Sequence, residues 1–313
     1  MKFSRAEAFA PASMANVGVG FDILGLALDC SGDRVVAEWR AEPGITITRI
    51  EGDSGLLPLN PAKNTASVAA QSVLTTLGVT HGAALTLYKD LPLASGLGSS
   101  AASAVAGAVA VNALCGSPLS PAELLPACLD GEALVSGYHA DNVAPSLLGG
   151  LILISGTDMS QLRQLPYPPH LRFALVTPDV AVPTAEARAV LPAMIPLKAM
   201  IAQTSALAQL IDALYRGDIP AMGAVMEQDG IIEPARAHLM PMMHDVRAAA
   251  KRAGAYGMVI SGAGPTLCAV CDSDALSEAV AAAMLAVYID AGISAVARSA
   301  QIAVSGAQVL GVS

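Results

Sequence analysis

A stretch without any charged side chain, residues 91–122, is the sequence feature that most limits how this chain can fold. The stretch is rich in Ala, Gly and Ser, and Pro92, Pro118 and Pro121 interrupt it. A membrane-spanning helix needs about 20 strongly apolar residues, and large aliphatic side chains are too sparse here for that. We therefore predict that residues 99–114 form a helix buried inside a folded domain.

The composition agrees with a protein that folds around a sizeable core. The chain has 313 residues, of which 54% are hydrophobic and 14% charged, and its mean hydropathy is +0.55. A chain this apolar is not disordered, and its length predicts two domains or one large domain. Residues 1–13 carry charges at Lys2, Arg5 and Glu7 and have no apolar run, so we do not expect a signal peptide. We expect no association with membranes.

The five cysteines are scattered and odd in number. Only Cys268 and Cys271 form a C-x-x-C pair, and they lie in an apolar run that is typical of a strand. An offset of three places two side chains on opposite faces of a strand, so this pair could not hold one metal ion. The sequence predicts buried thiols and a cytoplasmic protein.

The net charge is −9 and the isoelectric point is about 4.9, with no basic run and 4% aromatic residues. Nucleic-acid binding proteins carry a basic surface that this sequence lacks, so we expect no nucleic-acid partner. If the substrate is an anion, a few arginines and the amino-terminal ends of helices must supply the positive charge locally.

The order of predicted elements indicates two parts. Residues 165–170 contain three prolines and form the best boundary, which divides the chain into residues 1–165 and 166–313. The second part resembles a layer of helices over an antiparallel sheet. We predict strands at residues 5–10, 35–39, 45–50, 83–89, 151–154, 172–177, 257–260, 266–271 and 294–299. We predict helices at residues 64–77, 99–114, 121–135, 184–190, 196–216, 219–228, 241–252 and 275–291.

The strongest local motif is residues 92–102, where a strand ends, Gly96 and Gly98 follow, and Ser99 and Ser100 begin a helix. Glycines let the backbone approach a ligand closely, and free N–H groups at a helix start bind anions. Neither the G-x-x-x-x-G-K-[ST] motif nor the dinucleotide-binding G-x-G-x-x-G motif is present. On physical grounds two interpretations remain open: a phosphate-binding loop, or a tight loop with a helix cap.

A second glycine loop, residues 261–266, lies between two predicted strands. Taken alone it is a weak signal, because a hairpin turn has the same composition.

With these loops the sequence resembles the GHMP kinases, a family named for galacto-, homoserine, mevalonate and phosphomevalonate kinases. Residues 92–102 resemble the phosphate-binding loop of the family, and residues 261–266 resemble its carboxy-terminal glycine motif. Residues 11–25, 139–150, 184–192 and 233–236 are similar to motifs of the members that act on homoserine. These segments occur in order and cover most of the chain.

The resemblance implies an α+β, two-domain GHMP kinase fold. Its amino-terminal α/β domain is of the ribosomal-protein-S5-like type with a left-handed β-α-β unit, and its carboxy-terminal domain is ferredoxin-like. A homodimer is also expected from the family.

The resemblance further implies an activity: phosphorylation of the side-chain hydroxyl of L-homoserine by ATP, with Mg²⁺, to give O-phospho-L-homoserine in threonine biosynthesis. Homoserine is a zwitterion with one primary alcohol, so its site needs cations, anions and a polar group. By resemblance, Arg188 and Arg236 are the clamp for the carboxylate, since a guanidinium fork suits a carboxylate. Asp22 and Asp141 are partners of the ammonium and hydroxyl groups. Neutral neighbours are expected at Asn16, His139 and Thr184.

Without the motifs, each of these residues has an ordinary interpretation. Arg188 would be a surface charge on a helix, His139 a loop residue with satisfied hydrogen bonds, and Asp22 a turn residue.

For the nucleotide, the resemblance implies that the loop wraps the triphosphate and that Ser100, or Ser99, and Glu132 bind Mg²⁺. Taken alone, Glu132 would be a solvated helix carboxylate. The expected nucleotide-binding residues are Asn64 and Thr65 on the adenine side, with Pro92, Ser95, Gly96, Leu97, Gly98, Ser99, Ser100, Ala101, Ala102, Gly262 and Gly264.

The expected catalytic residues are Asn142, Arg188 and Asn16. Several relatives use an aspartate base with a lysine beside it, whereas this sequence has Asn142 at the matching position and Ser13, with no lysine, in the amino-terminal motif. An amide does not accept a proton at neutral pH. We therefore expect catalysis by positioning and charge neutralisation, with the hydroxyl proton passing late to the transferred phosphate.

Two other functions compete with this one. Another GHMP kinase would act on mevalonate, shikimate or a sugar, and mevalonate needs no anionic site. A non-catalytic binding module would have a broken phosphate loop or no carboxylate for magnesium, and both features are intact here.

Overall fold

The computed structural model describes residues 3–313, which form two sheets and the helices that cover them. The strands are β1 Arg5–Ala15, β2 Leu24–Arg40, β3 Ile45–Glu51, β4 Gly82–Tyr88, β5 Leu151–Ile154, β6 Leu162–Leu165, β7 Arg172–Pro178, β8 Gly257–Ile260, β9 Leu267–Cys271, β10 Ala295–Ala300 and β11 Gln308–Val312. The helices are α1 Thr65–Thr76, α2 Ser99–Leu114, α3 Pro121–Glu132, α4 Ala140–Leu148, α5 Thr184–Ala189, α6 Leu197–Arg216, α7 Ile219–Met226, α8 Ile232–Arg236, α9 Met243–Arg252 and α10 Asp274–Asp290.

The first sheet has the strand order β11-β1-β2-β4-β3, and β5 and β6 extend it from β2. Strands β3 and β4 are parallel and are joined through α1, which makes a β-α-β unit, whereas the other pairs are antiparallel. β2 is longer than the strand predicted at residues 35–39, because its first part pairs with β5 and its last part with β4.

α2 is the buried helix that its composition predicts. Every residue of α2 except Ser100 is buried, and the helix packs against β1, β2, α1, α3 and α4. Its many alanines let these neighbours approach from all sides, which explains the lack of a polar face. Its first turn points into a cleft between the two sheets, where glycine loops from both parts of the chain meet.

The second sheet is antiparallel with the order β10-β7-β9-β8. This is the β-α-β-β-α-β arrangement of a ferredoxin-like domain, and it confirms the expected second part of the fold. Cys268 packs in the core with α6 and α7, while Cys271 packs in the core with α9 and α10. The two thiols therefore lie on opposite faces of β9, as their spacing predicts.

The structure adds four elements that the sequence patterns did not predict: α4, α8, β6 and β11. Helix α4 is short and contains Pro145, which disfavours the interior of a helix, and every residue of β11 is exposed. β11 pairs with β1, which returns the end of the chain to the first sheet. The domain boundary between residues 165 and 166 stays a prediction. Within residues 3–313, none of the helices has the length and apolar character needed to cross a bilayer.

Candidate active site

A pocket of about 490 Å³ opens where α2 begins, between the two sheets. Most predicted site residues line it: Asn16, Asp22, Asn64, Thr65, Ser95, Gly96, Gly98, Ser99, Ser100, Glu132, His139, Asp141, Asn142, Thr184, Arg188, Arg236, Gly262 and Gly264. Four predicted nucleotide-binding residues do not line it: Pro92, Leu97, Ala101 and Ala102. Pro92 is exposed and the other three are buried beneath the loop, so their contribution is to the shape of the loop.

The two glycine loops pack against each other along one wall of the pocket. The Ser261 hydroxyl donates to the carbonyl of Gly96 at 2.7 Å, and the Thr266 N–H donates to the carbonyl of Ser95 at 3.1 Å. From the first sheet, the Ser13 N–H donates to the carbonyl of Leu97 at 3.1 Å. The loop at residues 92–98 is therefore held from both parts of the chain.

Only glycine fits at position 98 without strain. Its φ is +66°, in the left-handed region, and a Cβ there would overlap Ser13 Oγ and crowd Asn142 Oδ1. Gly98 is also the residue before α2, and no side chain caps this helix. The first N–H groups of α2 are therefore free to bind an anion in the pocket. This geometry favours the phosphate-binding interpretation of the loop over the helix cap.

A buried cluster that the sequence analysis did not single out lies beneath this loop. The Lys89 ammonium forms an ion pair with Asp33 and donates to Ser99 Oγ at 2.8 Å and Ser103 Oγ at 2.7 Å. Burial lowers the pKa of Lys89, and the pairing with Asp33 opposes that shift. Lys89 lines the pocket and immediately follows β4, two residues before the glycine loop begins, which is the one sequence signal that could have indicated it.

Glu132 lies at the end of α3 and faces the first turn of α2. Its Oε1 accepts from the Ser100 hydroxyl at 3.1 Å and from the Ser136 hydroxyl, whereas its buried Oε2 has no partner among the described residues. Burial raises the pKa of Glu132 to about 7. An unpartnered carboxylate oxygen beside a hydroxyl, in the pocket, is a donor set that suits a hard cation.

The opposite wall carries opposite charges in direct contact. The Arg188 guanidinium donates to both carboxylate oxygens of Asp22, at 3.1 and 2.7 Å. Asp22 is held in the left-handed region, with φ +60°, and its N–H donates to Asn16 Oδ1 at 3.1 Å. The Asn16 amide in turn donates to the carbonyl of Gly262 at 2.9 Å. Asn16 therefore joins the turn after β1 to the second glycine loop.

Arg236 lies beside Arg188, and one aromatic ring faces both. Arg236 donates to the carbonyls of Ala187 at 2.9 Å and Gly262 at 3.1 Å. The guanidinium carbons of Arg188 and Arg236 lie 5.5 and 5.2 Å from the centre of the Phe21 ring. The buried Nε of Arg188 has no partner among the described residues. Two guanidiniums beside one aromatic ring concentrate positive charge where a carboxylate can bind.

The start of α4 supplies the remaining predicted residues. Asp141 is buried, and burial together with the nearby Asp22 raises its pKa to about 7. Asn142 Oδ1 accepts from the Ser13 hydroxyl at 2.9 Å. His139 Nδ1 lies 3.7 Å from Asp22, and burial and Arg188 lower the pKa of this imidazole. Thr184 begins α5, one turn before Arg188.

Further residues line the pocket and were not predicted from the sequence. Phe21 lies between Gly20 and Asp22 in the amino-terminal motif, which could have indicated it. Leu93 and Ala94 lie within the predicted phosphate loop, although they were not singled out in it. Others belong to segments that only the fold brings together, and no local pattern marks them: Leu57, Lys63, Leu134, Val135, Ser136 and Val182.

The comparisons with known proteins agree with this geometry. The family of the GHMP kinases N terminal domain matches residues 64–150, and that of the GHMP kinases C terminal domain matches residues 210–290. Homoserine kinase of Arabidopsis thaliana is 42% identical over 93% of this chain and 80% of its own length. Homoserine kinase of Chloroherpeton thalassium is 42% identical over 88% of this chain and 90% of its own. A crystal structure of homoserine kinase from Cytophaga hutchinsonii has a TM-score of 0.94 and 39% identity, covering 99% and 98% of the two chains.

Proposed function

We propose that this chain, which belongs to the GHMP kinase family, transfers the terminal phosphoryl group of ATP to the side-chain hydroxyl of L-homoserine, giving ADP and O-phospho-L-homoserine. One observation carries the proposal. A single pocket holds an uncapped helix start behind a glycine loop on one wall, and two guanidiniums with two carboxylates on the other. The first wall suits a polyphosphate and the second suits an amino acid, and the family and the named relatives fit both.

The polyphosphate would bind at the first turn of α2. The free N–H groups there and the positive end of the helix dipole favour negative charge. Gly96 and Gly98 give the loop its tight turn, since both have positive φ and a Cβ at either would overlap neighbouring protein atoms. The adenine would lie toward Asn64 and Thr65, where Leu57, Leu134 and Val135 also provide apolar surface. The placement of the adenine is part of the proposal.

We also propose that Mg²⁺ accompanies ATP and that Ser100 and Glu132 hold it. The unpartnered Oε2 of Glu132 beside the Ser100 hydroxyl supports this choice. Ser99 is less suited, because Lys89 already occupies its hydroxyl. Among residues 3–313 no group of three His, Cys, Asp or Glu side chains could hold a metal, which fits a cation that keeps waters and phosphate oxygens as ligands. When bound, Mg²⁺ neutralises charge on the transferred phosphoryl group.

The amino acid would bind across the pocket wall that carries Asp22, Asp141, Arg188 and Arg236, which we call the charged wall. Arg188 and Arg236 would hold the carboxylate, and Asp22 and Asp141 would hold the ammonium and hydroxyl groups. Asp22 already pairs with Arg188, so these two charges neutralise each other before any ligand binds. The carboxylate of a zwitterion can pair with Arg188 while its ammonium pairs with Asp22, so both side chains keep a partner of opposite charge. Mevalonate has a carboxylate but no cation to offer Asp22. Homoserine therefore suits this wall better than mevalonate does.

In the reaction, the hydroxyl oxygen of homoserine bonds to the γ-phosphorus while the bond from that phosphorus to the bridging oxygen of ADP breaks. We propose that no side chain takes the hydroxyl proton and that it passes to the transferred phosphate. Asn142 has no basic atom, and its Oδ1 already accepts from Ser13. Asn142, Asn16 and Arg188 would act by positioning and by neutralising charge.

The direct test is mass detection of the product, with ATP and one acceptor at a time: L-homoserine, mevalonate, shikimate or galactose. We expect phosphohomoserine as the dominant product. Phosphorylation of mevalonate, shikimate or galactose in preference would assign the chain to another branch of the family. ATP binding without any phosphorylated acceptor would favour the non-catalytic binding module.

A homodimer and a cytoplasmic location are proposed from the family. Light scattering of the purified chain at several concentrations tests the first, since a monomer at all concentrations contradicts it. Fractionation of cells that express the untagged protein tests the second.

A further inference from the structure

The reaction proposed above assigns no role to the side chains of the buried cluster beneath the phosphate loop, which consists of Asp33, Lys89, Ser99 and Ser103. All four residues are at most 7% exposed. The cluster joins β2, the end of β4 and the first turns of α2. A buried lysine–carboxylate pair is weak evidence for stability, because desolvating two charges can cost more than their attraction returns. Another role for this pair is therefore worth seeking.

The contacts of the cluster converge on the first turn of α2. Lys89 Nζ donates to the carbonyl of Ser99 at 3.0 Å as well as to its hydroxyl, and Ser103 Oγ donates to Asp33 Oδ2 at 2.8 Å. The other oxygen of Asp33 accepts from the Leu91 N–H at 3.3 Å, at the start of the loop. One ion pair thus fixes both the beginning of the loop and the helix that follows it.

The cluster also gives the two serines different environments. The Ser99 hydroxyl accepts a hydrogen bond from Lys89 and donates one to the carbonyl of Leu91 at 3.3 Å. Its hydrogen bonds are therefore made to buried groups of the protein. The Ser100 hydroxyl donates to Glu132 at the pocket surface. Without the ammonium, the Ser99 hydroxyl and carbonyl would lose their buried donor, and the helix start could rotate toward other partners.

We propose that Lys89, held by Asp33, is a positioning residue that keeps the first turn of α2 and the glycine loop in the geometry that binds the polyphosphate of ATP. The proposal rests on the proposed function, since it assigns a support to the phosphate half of the same site. Lys89 acts through Ser99 and the backbone and does not itself transfer a proton or a phosphoryl group.

Three chains test the proposal: wild type, Ser103→Ala, and the double variant Lys89→Met with Asp33→Asn. The double variant removes both charges together, so that neither remains buried and unpaired. Ser103→Ala removes one hydroxyl that contacts both charged groups and is the milder change. The dissociation constant for ATP is measured by calorimetry, and the KM for homoserine and the free energy of unfolding are measured on the same preparations.

Two control variants separate positioning from loss of stability. Ser277→Ala removes a buried helix hydroxyl in the second part of the chain, and Val280→Ala opens a small cavity in the core beside it. Neither residue lines the pocket. Both controls should bind ATP as wild type does, whatever they lose in stability.

We expect the dissociation constant for ATP to rise about tenfold in the double variant and about threefold in Ser103→Ala, the range for the net loss of one ordinary hydrogen bond. The KM for homoserine should change less than twofold in both. ATP affinity within twofold of wild type in the folded double variant would overturn the proposal. If the double variant does not fold, unchanged ATP affinity in Ser103→Ala overturns it instead. A wild-type chain that does not bind ATP would contradict the proposed function itself.

Discussion

The two walls of the pocket meet the same requirement, binding an anion, in different ways. The wall at α2 uses backbone N–H groups from one continuous segment, which lines the pocket with Gly96, Gly98, Ser99 and Ser100, and Glu132 adds a carboxylate beside them. The opposite wall uses side chains from segments far apart in sequence: Asp22 pairs with Arg188, and Arg188 and Arg236 both face the Phe21 ring. Local sequence can therefore specify the first wall, while only folding can assemble the second.

The walls also differ in how they behave before a ligand binds. The N–H groups at the start of α2 have no side-chain cap, so this wall is open to a phosphate without any exchange of partners. On the other wall Asp22 already occupies two nitrogens of Arg188, so an amino acid must replace an existing ion pair. That exchange disfavours ligands with a single charge, and it makes the charged wall the more selective one.

The largest effect is expected from a substitution that disturbs the wall at α2, where backbone N–H groups face the pocket. Gly98→Ala places a Cβ against Ser13 Oγ and Asn142 Oδ1, which displaces the helix start. We expect kcat/KM for both substrates to fall about 10³-fold, as when preorganised donors are lost. The matched control is Gly78→Ala, since Gly78 has φ +64° but no atom within 4 Å of the added Cβ. Steady-state kinetics measure kcat/KM for both variants. Equal decreases in Gly98→Ala and Gly78→Ala would mean that backbone strain, and not the displaced helix start, causes the effect.

The next largest effect is expected from a substitution that disturbs only the charged wall. Arg188→Met removes one guanidinium and leaves Asp22 without its bidentate partner. We expect the KM for homoserine to rise about 10²-fold, the cost of truncating a hydrogen-bonded charge pair, while the calorimetric affinity for ATP stays within twofold. Arg216→Met is the control, because Arg216 pairs with Asp212 on the exposed surface of α6. A parallel loss of ATP affinity in Arg188→Met would show that the two walls are not independent.

Asn142 lies between the walls and tests how the proton leaves. Asn142→Ala removes the acceptor of the Ser13 hydroxyl, and since no side-chain base is proposed, kcat should fall only about tenfold. Single-turnover rates measure this step directly. A loss beyond about 10²–10⁴-fold, the contribution of a general base or acid, would contradict the proposed proton route. The same rate is measured for Asp141→Asn. If Asn142→Ala does show so large a loss, a similar loss in Asp141→Asn would identify Asp141 as the base.

The last prediction concerns the pH dependence of stability, not the activity. Burial raises the pKa of Asp141 to about 7 in the folded chain, so the folded state holds its proton more tightly than the unfolded state does. This contribution to stability is complete below about pH 4 and is lost as the pH rises to 7, by at most about 1.4 kcal/mol per pH unit.

Urea unfolding of wild type and Asp141→Asn at pH 5, 6 and 7 checks this prediction. The charged neighbours Asp22, Arg188 and Glu132 are present in both chains, so the difference reports Asp141 together with its electrostatic effect on those neighbours. We expect the wild-type free energy of unfolding to decrease relative to that of the variant as the pH rises. Parallel pH profiles would mean that the folded Asp141 has an ordinary pKa.

The candidate site could be predicted from the sequence where one segment carries the whole feature. The spacing of Gly96, Gly98, Ser99 and Ser100 specifies a loop and a helix start, and the structure has both. The roles given to the arginines and aspartates came from resemblance to a family, because a single arginine on a helix looks like any surface charge. The structure brings those residues to one pocket, while their roles stay predictions.

Features built from several segments could not be predicted locally. Lys89 is one charged residue before a loop, and its burial depends on Asp33 and Ser103 arriving from β2 and α2. β11 carries no apolar period, since every residue in it is exposed, and it forms because β1 offers an unpaired edge.

The buried alanine-rich helix, the glycine loop before it and the opposite faces of the two strand cysteines could be predicted, because each follows from the periodicity or conformational freedom of adjacent residues. Three features became visible only in the folded chain: which charges share a pocket, which serine hydroxyl accepts from a lysine, and where the last strand pairs. Those outcomes depend on contacts between residues distant in sequence, where burial and the nearest opposite charge, rather than residue type, decide what a side chain does.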